Sequence, residues 1–77
     1  MNKQRRTKLE KVQDRLNTIS EEIKNILDDE QEAFDNMPES LQESSENGIK
    51  SIITIENLEE IIENLEEIDE LLDDIIY

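Results

Sequence analysis

The sequence predicts an all-α protein: an antiparallel helical hairpin of two long helices joined by a short helical connector, which a second copy could complete as a four-helix bundle. Three observations predict it. Leu9, Val12, Leu16, Ile19, Ile23 and Ile26 recur at 3, 4, 3, 4, 3, with no Gly or Pro among them. A heptad repeat fills residues 57–77, as Asn57-Leu-Glu-Glu-Ile-Ile-Glu63, Asn64-Leu-Glu-Glu-Ile-Asp-Glu70 and Leu71-Leu-Asp-Asp-Ile-Ile-Tyr77. Between these runs stands Pro38, the single proline of the chain. Apolar residues three and four apart share one side of a helix, so each run is an amphipathic helix and Pro38 lies where the chain turns.

The first helix is expected over residues 3–35. Its stripe weakens after Ile26, where the seam continues through Glu30, Ala33 and Met37. Pro38 has no N–H to donate and disfavours helical geometry at Met37, which ends the helix. The same proline suits the first turn of a short helical piece reaching Leu41. The connector is assigned to residues 36–44, with Phe34, Met37 and Leu41 packing over the end of the hairpin or anchoring a partner.

The second long helix is expected over residues 45–76, with Ser45 as its N-cap. Gly48 then falls inside the first turns, at about 1 kcal/mol relative to Ala. Leu58, Leu65 and Leu72 are read as one seam position, and Ile61, Ile68 and Ile75 as the other. Ile62, Leu71 and Ile76 widen this face beyond what one facing helix covers, so either the short Pro38–Leu41 piece with Phe34 covers part of it or a second chain does, as in a homodimer. Leu alternating with Ile along a seam leans towards the second chain. The 77 residues form one small domain, close to the size at which a single core suffices.

Composition excludes several classes of function. With no cysteine there is no disulfide, thiolate metal site or cysteine nucleophile, which suits a reducing cytoplasm. Histidine is absent too, and with it the commonest general base and zinc ligand. One glycine cannot build a phosphate-cradling loop. Carboxylates on exposed helices lack the burial that tunes an acid–base catalyst, so the protein is read as a non-enzyme without cofactor or metal. Asp28-Asp29-Glu30 and Asp73-Asp74 lack the ordered loop of a strong calcium site. The start, Met1-Asn-Lys-Gln-Arg-Arg6, leads into polar sequence, and no run is long and apolar enough for a membrane span. The expected location is the cytoplasm of a host cell.

Charge is the functional signal. The chain carries −14 overall, divided unevenly. Residues 1–27 hold seven bases and four acids, while residues 28–77 hold eighteen acids and one base, Lys50. The plainest reading is internal pairing, with Lys8 and Arg15 reaching carboxylates across the antiparallel seam at about 0–1 kcal/mol per exposed pair. Ten carboxylates lie between Glu56 and Asp74, more than that pairing absorbs.

Two readings of the surplus stand. A helix face of Glu and Asp can simply be solvated, since Glu is a strong helix former. It can also imitate nucleic acid: at about 1.5 Å rise per residue the carboxylates recur roughly every 3 Å, against about 3.4 Å per phosphate on one DNA strand. Glu59, Glu63, Glu66, Glu70 and Asp73 form a ridge, and Glu60, Glu67 and Asp74 a parallel row. These eight are the candidate partner-binding residues. Their partner would be a basic nucleic-acid-binding protein, because this surface repels phosphate.

The connector Asp29-Glu-Gln-Glu-Ala-Phe-Asp-Asn-Met-Pro-Glu-Ser-Leu-Gln42, Ser45-Glu46 with Gly48, and the repeated Asn-Leu-Glu-Glu tail resemble a group of small acidic proteins from phages and prophages of Gram-positive bacteria. The resemblance covers about two-thirds of the chain and brings no catalytic or binding residues to transfer. The group has small or acidic residues where this chain has Ile49, Ile52 and Ile53. What it implies is a phage setting, where small acidic proteins block host DNA-binding defence enzymes such as CRISPR nucleases, restriction enzymes or DNA glycosylases. A rival expectation is a helical assembly or adaptor module that binds through its apolar seams.

Overall fold

A computed structural model describes all 77 residues. It contains α1 (Lys3–Asp35), α2 (Glu39–Gln42) and α3 (Glu46–Ile76), with no strand. The two long helices fold back on each other as a hairpin, a rod of 57 × 15 × 14 Å.

Local chemistry accounts for each boundary. Asn2 caps α1, its side-chain oxygen accepting the Arg5 N–H at 2.9 Å. At the other end the Asn36 N–H reaches the Glu32 carbonyl at 3.0 Å. Gln42 then donates to the Phe34 and Met37 carbonyls at 3.1 and 3.3 Å, tying α2 to the end of α1, where the Phe34 oxygen also accepts the Met37 N–H at 3.0 Å. Pro38 is extended, at φ −53° and ψ 135°, and serves as the N-cap of α2 rather than occupying its first turn. Ser45 caps α3 by accepting the Gly48 N–H at 3.0 Å.

Gly48 has a stronger reason to be glycine than helix tolerance suggests. It is buried, and a Cβ there would collide with the backbone carbonyl oxygens of Leu41 and Gln42. The close crossing of α2 over the first turn of α3 depends on its missing side chain.

The seam is displaced from the one read in the sequence. On α1 the residues turned inward are Leu9, Gln13, Leu16, Ser20, Ile23, Leu27, Glu30 and Phe34, at a regular 4, 3 spacing. On α3 they are Leu58, Ile62, Leu65, Asp69, Leu72 and Ile76, continuing from Ile55. The three leucines hold their place. Ile61, Ile68 and Ile75 do not: they are 41, 41 and 50 % exposed. Ile19 and Ile26, at 42 and 55 %, are displaced in the same way, and Val12 is half-buried. Ile62 and Ile76, expected beside the seam, are in it, and Leu71 is exposed. The cause is geometric. Two helices touch along one line, whereas each of these carries an apolar arc wider than that line, so the outer part is left uncovered.

The seam is consequently semi-polar. Gln13 is buried and donates to the Asp73 carboxylate at 2.7 Å and the Asp69 carboxylate at 3.1 Å. Near the connector the Ser51 hydroxyl donates to Glu30 at 2.8 Å. These bonds fix the vertical register of α1 against α3.

Candidate partner-binding face

The displaced seam gives the hairpin two unlike sides. One residue further along a helix is a rotation of about 100°. In an antiparallel pair, positions turned by the same angle from the seam lie on the same side of the plane through both axes. Val12, Ile19 and Ile26 each precede an inward residue of α1, and Ile61, Ile68 and Ile75 each precede one of α3. All six therefore share one side. Glu59, Glu66 and Asp73 follow Leu58, Leu65 and Leu72, while Glu63 and Glu70 follow Ile62 and Asp69. This ridge lies on the opposite side.

All eight predicted partner-binding residues, Glu59, Glu60, Glu63, Glu66, Glu67, Glu70, Asp73 and Asp74, are exposed. They do not form one surface. The ridge flanks the hairpin groove over about 21 Å, at 1.5 Å per residue, whereas Glu60, Glu67 and Asp74 run along the back of α3, facing away from α1. Asp73 is also tied to Gln13. The other four ridge carboxylates, Glu59, Glu63, Glu66 and Glu70, take part in no hydrogen bond or ion pair. They are free to accept donors from outside.

Beside the ridge lies an open cleft lined by Asn17, Ser20, Glu21, Lys24, Leu65, Glu66, Asp69 and Glu70. Lys24, its single base, is held by Glu21 at 3.7 Å on the same helix. The α1 residues of this cleft lie outside the apolar stripe, so the periodicity of the sequence does not single them out. Position 17 following 16, and 24 following 23, was the available signal.

The expected pairing of Lys8 and Arg15 with carboxylates across the seam does not form. The ion pairs of the chain are both local, Lys24–Glu21 and Lys50–Glu46, the latter at 3.0 Å. Lys8 and Arg15 precede Leu9 and Leu16, which puts them on the isoleucine side, turned away from the acidic ridge. A neutral amide, Gln13, bridges the helices where charge pairing was anticipated.

No three carboxylates converge to hold a metal ion. No helix is long and apolar enough to cross a membrane. No family model, curated protein or solved structure matches the chain. The functional reading therefore rests on the residues and their placement.

Proposed function

We propose that this protein is a phage-encoded inhibitor that presents its acidic side as a substitute for nucleic acid and blocks the basic groove of a host defence enzyme, without catalysing a reaction itself. The observation that carries the reading is the row Glu59, Glu63, Glu66 and Glu70: four exposed carboxylates on one flank of a continuous helix, none engaged within the chain. The carboxylates stand on a narrow rod, 57 × 15 × 14 Å. Its helical backbone holds the charges in place, so little conformational entropy is lost when arginine forks of the partner close on them. The surface repels nucleic acid, which leaves the nucleic-acid-binding protein as partner, in the cytoplasm of the host.

The test is charge-neutral substitution. Glu→Gln at positions 59, 63, 66 and 70 together preserves size and helix propensity and breaks no hydrogen bond of the fold. Binding to the host enzyme is expected to be lost with helicity unchanged, and wild-type affinity is expected to fall steeply with salt. Retained binding by the quadruple variant would reject the reading. Deleting residues 1–8 is expected to leave binding intact.

One observation favours a second reading, a helical assembly or adaptor module: the isoleucine side has no cover in the single chain. Binding of that kind is insensitive to salt and lost on Ile68→Asp.

A further inference from the structure

The single hairpin leaves more surface uncovered than a folded chain of its mass. Its accessible surface is 5936 Å² for 9.1 kDa, where a compact monomer of that mass exposes about 4,900 Å². The excess of roughly 1,000 Å² is comparable to the ~800 Å² that each partner contributes to a stable protein interface. Only Ile55 and Ile76 count as buried among the hydrophobic residues, while five isoleucines stand exposed on one side of the rod.

From the order of charges along the rim of that side, we infer that its occupant is a second copy of this chain, inverted end for end, giving a four-helix bundle whose two-fold axis passes near Ile19 and Asn64. Lys8, Arg15, Glu22 and Asp29 each precede a seam residue of α1 and edge the isoleucine side at seven-residue intervals. The order plus, plus, minus, minus complements itself when a second α1 runs the other way. Lys8 then meets the second copy's Asp29, and Arg15 its Glu22. The same inversion sets Ile19 against Ile19 and Val12 against Ile26.

The other helix agrees on the axis. Inverting α3 about a point between Asn64 and Leu65 sets Ile61 opposite Ile68 of the second copy. Within the hairpin, Gln13 is level with Asp69 and Glu30 with Ser51, so position 19 is level with positions 62–63, within about 3 Å of that point along the rod. One axis thus satisfies both helices, as a closed two-fold dimer requires. An asparagine pair at such a position is a known device for fixing register.

The alternative stacking, with both connectors at one end, lacks these matches. It sets Lys8 and Arg15 level with Asp74 and Glu67, which lie on the back of α3 and not on the rim of the isoleucine side, and it crowds the eight acids of residues 28–46 from each copy together. Inversion instead lays that acidic end against Lys3, Arg5, Arg6, Lys8, Lys11 and Arg15 of the other copy. In the dimer both acidic ridges face outward, so the pairing does not depend on what the ridge binds.

Two measurements test this on the full chain. Sedimentation or light scattering of the wild type is expected to give twice the chain mass, and a monomer at micromolar concentration overturns the proposal. Because the chain has no cysteine, single Ile19→Cys and Ile26→Cys variants can be treated with a short thiol-bridging reagent. Ile19→Cys is expected to link to its copy. Ile26→Cys is not, since inversion separates its two thiols by about 20 Å. Linking at position 26, or failure at 19 in a dimeric sample, overturns the inverted arrangement. Lys8→Glu with Arg15→Glu in one chain, and Glu22→Lys with Asp29→Lys in another, are each expected to weaken self-association about tenfold or more, and mixing the two is expected to restore it. A mixture that remains monomeric also overturns the arrangement.

Discussion

Gly48 and Gln13 carry structural demands that their residue types barely advertise. Gly48→Ala adds a methyl against two backbone carbonyl oxygens that cannot rotate away. The variant is expected to lose about 1–3 kcal/mol in urea unfolding followed by circular dichroism, although Ala is the better helix former. Gln13 offers its amide to two carboxylates on α3. Gln13→Glu replaces that donor with a third negative group, and a loss of about 2 kcal/mol is expected in the same measurement. An unchanged midpoint in either variant would contradict the packing described. Neither demand was legible in the sequence. A lone glycine near a helix start reads as a tolerated cost, because nothing local shows that α2 crosses there. A glutamine beside Val12 reads as the wet neighbour of a core residue.

At the scale of the elements, the hairpin itself was legible. Two Leu/Ile-periodic runs, one proline between them and a serine ahead of the second run are strong signals that agree with one another. Ser45→Ala removes the acceptor for the Gly48 N–H and is expected to cost about 1 kcal/mol, read as a lowered thermal midpoint. The phase of the seam was not legible, for a physical reason. Ile26-Leu27, Ile61-Ile62 and Ile75-Ile76 are apolar doublets, so at these three places an apolar residue meets the seam in either phase. The earlier phase collects Val12, Ile19, Ile26, Ile61, Ile68 and Ile75, all apolar. The structure adopts the later one, which takes Gln13, Ser20 and Asp69 into the contact and leaves the isoleucines outside. The one-residue shift also moves Lys8 and Arg15 away from the acids they had been assigned.

For the whole molecule, the shift produces a division of labour between sides. The acidic surplus was visible in composition, and the eight candidate carboxylates are all exposed, but their split into a ridge and a back row needed the seam. The ridge lies beside a cleft lined by Glu21 and Asp69 as well as Lys24, so acids outnumber bases on that side of the rod. Helix dipoles sharpen the case that the arrangement serves more than the fold. α1 has no acid in its first turn and α3 no base in its last, so both helices carry charge placements that disfavour them in isolation.

The most direct test of the acidic side is a pull-down from host lysate with the tagged wild-type chain and the Glu59, Glu63, Glu66 and Glu70→Gln variant in parallel, each eluted first with duplex DNA and then with salt. The wild type is expected to capture a basic nucleic-acid enzyme that DNA releases, and the variant to capture none. A partner held equally by both chains and indifferent to DNA would contradict nucleic-acid mimicry.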